Sequence, residues 1–395
     1  MHTNKLLFIK SLDLKHLGLL EILFAMFPIL APYAIGPIPY SVAGVLLMDI
    51  LAYNRSRKIQ RGQYKTFRYF LYFYIIHEIW LVCVLSGNAP SFINSTISNL
   101  INIISIPLIC SSLNTQKLRG ALNLVAIISI IGMVYHVTLT LTGSIVHTIP
   151  MPFLSPHESA DVAFRDMDRP CSFYSEPQAY VTYMLVPLIW SLIDKNYVWA
   201  GIITFTLLLS TSTTGLVLAF LVLAIYAISQ GVNKKIYVLF IFAMIGLAYA
   251  YTHLSIFESG LDKAENYDLE NSTRMAQGPK IVLNMDPMYM VFGIPYANAY
   301  EYYKAGKIGN DLVVLYGNNI YMATTWLLIL RFGFIGLFMY ANIYIDVIRK
   351  YRHAIPYAVV LLATMFSNPD FLGAAFTFTG IALMSLAYNY KPQVK

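Results

Sequence analysis

Residues Leu118–Thr142 read LRGALNLVAIISIIGMVYHVTLTLT, with one charged side chain, Arg119, close to the start. An apolar stretch of about 20 residues matches the hydrocarbon thickness of a bilayer. This segment is therefore expected to cross one as a helix. Working outward, the same pattern recurs on both sides. Spanning helices are expected at about 17–35, 36–53, 66–86, 94–113, 118–142, 177–193, 197–211, 214–230, 234–254, 331–349, 354–368 and 371–389. The fold class implied is an all-α polytopic membrane protein of about twelve transmembrane helices, forming a single transmembrane domain over residues 1–395.

Composition agrees. Hydrophobic residues make up 57% of the 395-residue chain and charged residues 12%, where soluble domains carry roughly 25% charged. A net charge of +7 would suggest nucleic acid in a soluble protein. Here the excess falls in short loops of one side, so nucleic acid is excluded as a partner. Lys5, Lys10 and Lys15 precede the first helix, and no small-residue cleavage pattern follows it, so that helix is expected to remain as an anchor. Three cysteines make no disulfide framework: Cys83 and Cys110 fall in apolar spans, and Cys171 lies alone in a loop.

Orientation follows from the basic residues. They gather at 5–15, 55–65, 117–119, 195, 234–235, 349–352 and 391–395, while the alternate loops at 36–40, 87–93, 210–214 and 369–370 hold none. Both termini are thus expected to be cytoplasmic. Two larger loops fall on the opposite, periplasmic side, at about 143–176 and 255–330. They carry thirteen carboxylates against seven basic residues. The second ends in a half-apolar stretch, Asn318 to Leu330, expected as a helix lying on the membrane surface. No repeat of helix pattern links the two halves, which counts against a transporter built from inverted repeats.

The polar chemistry sits in four places. The first is Arg169-Pro-Cys-Ser-Phe-Tyr-Ser-Glu-Pro177. Pro177 suits the first turn of a helix, and Glu176 stands beside the positive end of that helix's dipole. Glu176 reads either as a cap paired with Arg169 or as a base beside an anion-binding arginine. The second is Ser210-Thr-Ser-Thr-Thr-Gly215, a polar turn between two helices. Its hydroxyls, Ser210, Ser212 and Thr213 among them, either satisfy freed backbone groups or bind phosphate or sugar. The third is Asn271-Ser-Thr-Arg274, followed by Val291-Phe-Gly-Ile-Pro295. Arg274 either pairs with the acids before it or binds an anion. The fourth is Gly317-Asn318-Asn319-Ile-Tyr321, leading into Leu330-Arg-Phe-Gly-Phe-Ile-Gly336. These asparagines either cap a helix or bind sugar hydroxyls.

In this order, and on one side of the membrane, these motifs resemble the O-antigen polymerase (Wzy) and O-antigen ligase superfamily. The resemblance covers about residues 165–350, and the first half of the chain matches in hydropathy alone. It implies a bacterial inner-membrane glycosyltransferase of O-antigen-type polysaccharide, working at the periplasmic face without metal or cofactor. The donor would be a glycan chain on undecaprenyl diphosphate and the acceptor a lipid-linked repeat unit. Membrane lipids and a chain-length regulator protein would be its further partners. Family arginines carry over onto Arg169 and Arg274, with Asn318, Asn319 and Tyr321 in the fourth motif. Ligases of the family place a histidine where this chain has Asn318, which favours polymerase over ligase, the ligase and a lipid-linked oligosaccharide flippase being the alternatives.

The chemistry is consistent. Arginine donates bidentately to phosphate and stays charged, so two arginines neutralise a departing diphosphate. A carboxylate then takes the acceptor's hydroxyl proton, with Glu176 the first candidate. Several residues are set aside. Asp166-Met-Asp168 spells an acid-x-acid pattern but is flanked by Arg165 and Arg169. His136, His147 and His157 are too irregularly spaced for a helix-borne metal site. His77, Glu78 and Glu21 lie in apolar spans, near no matched motif, and are expected to pack or pair. Tyr289, Tyr296, Tyr300, Tyr302 and Tyr303 read as an interfacial belt or as sugar-stacking rings.

Overall fold

The computed structural model describes residues 17–35, 38–55, 64–84, 89–156, 169–230, 253, 276–295, 298–309, 322–366 and 372–390. Helices dominate. They are α1 (Leu19–Leu30), α2 (Tyr40–Arg55), α3 (Lys65–Val84), α4 (Ala89–Ser112), α5 (Thr115–Leu141), α6 (Pro177–Ile193), α7 (Tyr197–Leu209) and α8 (Thr213–Gln230). Three short ones follow, α9 (Gln277–Val282), α10 (Pro287–Phe292) and α11 (Ala299–Lys304). Then come α12 (Thr324–Lys350), α13 (Ile355–Thr364) and α14 (Ala374–Met384), which ends in a π-turn at Ser385–Asn389. Among the described residues, α5 and α12 are long and apolar enough to cross a membrane, and shorter apolar helices accompany them. The helix expected at 234–254 lies outside the described residues, apart from His253.

Local signals explain the boundaries. Asn114 caps α5, its side chain accepting from the N–H groups of Gln116 and Lys117. Pro177 opens α6 at the first turn. Lys195 stops it with a φ of 59°, and Asn196 then caps α7 by accepting from Trp199 N. Helix α12 begins at Thr324, ahead of the 331–349 expected, but it is two helices joined across a kink, and the first of them, over 324–332, covers the described part of the 318–330 stretch expected as a separate helix. A break remains near the expected junction, because Gly333 is non-helical (φ 65°, ψ −173°) and kinks α12 there.

One small non-helical feature joins the helical frame. A small antiparallel sheet joins β1 (Tyr33–Ile35) to β2 (Ile38–Pro39) on one side and β3 (Ser155–Pro156) on the other. Tyr33 Oη also accepts from Met151 N at 2.7 Å. Together they tie the 143–156 segment to the connection between α1 and α2.

Aromatic rings fill the centre of the bundle. Phe378 of α14 stacks on Phe24 of α1 at 5.0 Å and on Tyr183 of α6 at 5.6 Å, all three fully buried. Polar pairs mark one end. Arg55 meets Glu21 at 2.7 Å, and the same carboxylate accepts from Asn114 N, so Glu21 pairs as expected. Arg119 meets Asp194 at 2.9 Å, charge to charge rather than along an N–H bond. Its guanidinium lies over the rings of Trp190 and Tyr390. Burial holds the Asp194 carboxyl above its ordinary range, and Arg119 opposes this. The opposite end carries the starts of α6, α8, α12 and α14, and it is there that the candidate site lies.

Candidate functional site

The run from Arg169 to Pro177 forms a strap laid across α5. Its middle is entirely engaged in holding it there. His136 Nδ1 accepts the backbone N–H groups of Cys171 at 3.2 Å and Ser172 at 3.0 Å. Ser172 takes a left-handed backbone (φ 59°) and donates its hydroxyl to Ser129 O at 2.8 Å. Gly132 makes room for it, since a Cβ there would strike the Ser172 hydroxyl and the Phe173 ring. Tyr174 bonds Ser129 at 3.0 Å and receives Thr148 on its carbonyl at 3.1 Å, while Ile149 N donates to Ser172 O. His136 is thus a structural acceptor in this fold.

The two ends of the strap are left half-exposed, and they are Arg169 and Glu176. Both act electrostatically on Cys171 between them. Burial pushes the Cys171 thiol up to about 11, with Thr148 and Arg169 pulling down and Glu176 pushing up. Glu176 occupies the N-cap position of α6, where its backbone carbonyl accepts Ala179 N and Tyr180 N. Its side chain makes no capping hydrogen bond.

The polar turn lies against the same helix. A Cβ on Gly215 would strike Val181, five residues along α6 from Glu176, or about 7 Å of helix rise. Within the turn, Ser210 donates to Leu207 O and Ser212 accepts from Gly215 N, so both hydroxyls serve the turn's own backbone. Thr211 was not singled out in the sequence. It sits at φ 51°, a region β-branched residues avoid, and its fully buried Oγ1 finds no hydrogen-bond partner among the described residues. Thr213 has no described side chain, and Arg274, Asn318, Asn319 and Tyr321 lie outside the described residues.

A cavity of about 40 Å³ opens between α6, α12, α13 and α14. Its polar lining is all hydroxyl, from Thr182, Thr324, Thr364 and Thr379 and from Tyr340, Tyr344 and Tyr357. As it stands it admits a few water molecules rather than a sugar ring. None of Arg169, Glu176, Ser210 and Ser212 lines it. Four helices supply it, so no run of sequence announces it.

One expectation is overturned. His77 and Glu78 do not stand apart from the motifs. His77 Nε2–H donates to Phe292 O at 2.6 Å, and Glu78 faces Arg331 at 3.5 Å. Phe292 and Arg331 belong to the two glycine-bearing motifs, at 291–295 and 330–336. The segment from 276 to 309 has its own small core, around Ile281, Ile294 and Ile308, shared with Ile329 and Leu330 of α12. Tyr289 and Tyr302 meet edge to face at 5.3 Å beside it, Tyr300 lies under Lys304, and Tyr289, Tyr300, Tyr302 and Tyr303 all pack against this core, while Tyr296 lies outside the described residues.

A scan against protein-family models, a search of curated proteins and a search of solved structures each found no match for this chain.

Proposed function

We propose that the protein is a polysaccharide polymerase of the O-antigen type, embedded in the bacterial inner membrane with its site on the periplasmic side. It transfers a glycan chain from undecaprenyl diphosphate onto a lipid-linked repeat unit. The acceptor hydroxyl attacks the donor's anomeric carbon, the bond from that carbon to the diphosphate oxygen breaks, and the proton passes to Glu176. Arg169 and Arg274 neutralise the departing diphosphate, an electrostatic catalysis that calls on no metal. Thr211 adds a hydroxyl with bonding capacity to spare.

The observation that carries this reading is the strap. The fastening contacts fall on residues 171–174 of the strap, and a half-exposed cation, Arg169, and a half-exposed carboxylate, Glu176, stand at its two ends. Twelve membrane helices with both termini in the cytoplasm fit the distribution of charge. The end of the bundle holding Arg55, Arg119 and Lys195 is the basic one, and the strap and the 210–215 turn lie at the other.

The test is the length distribution of surface glycan in cells carrying Arg169→Ala or Arg274→Ala. Both are expected to collapse the long ladder to single repeats at normal protein levels. Unchanged long ladders in both would sink the reading. A single-unit-capped core with accumulating lipid-linked polymer in a null strain would point to the ligase instead.

A further inference from the structure

The pair His77–Glu78 on α3 makes a set of contacts that the strap mechanism does not use. Three facts define them. His77 donates to Phe292 O, at the end of α10, across 215 residues of chain. Glu78 faces Arg331 of α12 with one carboxylate oxygen and accepts from Thr96 of α4 with the other, at 2.5 Å. Phe292 and Phe332, the residues next to the two glycines, rest on α3: Trp80 meets Phe292 at 5.6 Å, and His77 meets Phe332 at 5.0 Å. His77, Glu78 and Arg331 are each more than nine-tenths buried.

The backbone between these contacts is a crossing of two chain segments. Ile294 N donates to Leu330 O at 2.8 Å, and Gly293 and Gly333 pass each other with no room for a side chain on either. The crossing is where the 276–309 segment joins α12. Two side chains of α3, His77 and Glu78, hold one crossing segment each, and Thr96 of α4 holds Glu78 in turn. Packing alone would not need an ion pair and a histidine there. A polar grip fixes register and direction, which apolar contacts leave loose.

We infer that His77, Glu78 and Arg331 form a latch that sets the position of the 276–309 segment against α3 and α12, and that they are positioning residues for the transfer reaction. The assignment rests on the polymerase reading, because that segment follows Arg274 by two residues in the chain. Displacement of a binding group by about 1 Å costs up to a hundredfold in rate. Loosening the latch therefore lowers kcat and leaves the binding of substrate largely alone.

The experiment uses the full-length protein in lipid nanodiscs with a synthetic lipid-diphosphate-linked repeat unit. His77→Leu is expected to lower kcat by about tenfold or more, with KM within about twofold. His77→Gln, which keeps a donor near the Nε2 position, is expected to restore most of it. Amide hydrogen exchange over 287–295 reads the latch independently of activity, and it should speed up in His77→Leu and not in His77→Gln. Should His77→Leu fail to fold, Thr96→Val removes the hydroxyl from Glu78 at constant shape and is expected to show both changes at smaller size. Equal kcat in all variants, or faster exchange with no change in kcat, overturns the positioning role. Wild-type protein that makes no polymer sinks the underlying reading and this role with it. Exchange that still follows the donor at 77 would then mark that failure as one of function rather than of the contact.

Discussion

Gly293 and Gly333 stand in reciprocal positions, each against the backbone of the other's segment. A Cβ on Gly293 would run into the carbonyl of Arg331, and a Cβ on Gly333 into the carbonyl of Val291. Both residues adopt an extended backbone of positive φ, 78° with ψ −178° and 65° with ψ −173°. That region is essentially restricted to glycine.

Alanine at either position is therefore expected to destabilise the protein by about 2–5 kcal/mol, combining backbone strain with overpacking. Thermal unfolding of Gly293→Ala and Gly333→Ala in detergent checks this. Gly143, equally left-handed but with open space around it, is the control, and Gly143→Ala should cost no more than about 1–2 kcal/mol.

Cys171 is expected to resist alkylation in the folded protein. Its thiol is buried and held up to about 11. The thiolate is the reactive form, so at pH 8 this shift alone slows reaction by about a hundredfold. A raised thiol value stabilises the fold fully below the unfolded value near 9, and that contribution is lost as pH rises from about 9 towards about 11. His136→Ala strips the acceptor from two buried N–H groups, at about 1–3 kcal/mol each, and is expected to expose Cys171 to labelling. Maleimide labelling before and after denaturation, at several pH values, measures both effects.

Arg119 should be needed for stability rather than for activity. It meets Asp194 at 2.9 Å and covers two rings at the end of the bundle away from the strap. Asp194 keeps 22% of its side chain exposed, so losing the pair is expected to cost about 2–3 kcal/mol, below the range for a fully buried one. Arg119→Met should lower the melting temperature and leave kcat per folded molecule unchanged. A large fall in kcat at full occupancy would place chemistry at the wrong end.

Much of the helical frame was legible in the sequence. The expected helix at 177–193 appears with those bounds, because Pro177 and the Asp194-Lys195-Asn196 turn punctuate an apolar run at both ends. The strap was also visible as a motif, though not its fastening, since His136 lies 36 residues before Ser172 and carries no signal of its own. What stayed hidden was long-range. Two-residue strands at 38–39 and 155–156 are too short to show a pattern, and they exist through pairing with β1. His77 and Glu78 looked like isolated polar residues in an apolar span because their partners lie across a glycine crossing. No periodicity in α3 reports a contact that another segment's backbone creates.

The orientation carries its own test. Ser144 and Arg352 are both exposed, one beside each expected face. In a Cys83→Ser background, Ser144→Cys is expected to react with a membrane-impermeant maleimide in intact spheroplasts, and Arg352→Cys only after lysis. The reverse pattern would turn the protein over and put the strap in the cytoplasm.

The central claim is that Arg169 and Glu176 serve glycan transfer between lipid-diphosphate carriers. The most direct measurement is polymer formation by the purified protein in nanodiscs, supplied with a defined lipid-diphosphate-linked repeat unit and a metal chelator. Wild type is expected to yield a ladder of lipid-linked products with release of the lipid diphosphate. Arg169→Ala and Glu176→Gln should each lower the rate by about a hundredfold or more while the protein stays folded. Wild-type protein that leaves the repeat unit unextended, or a ladder undiminished in both variants, would contradict the account.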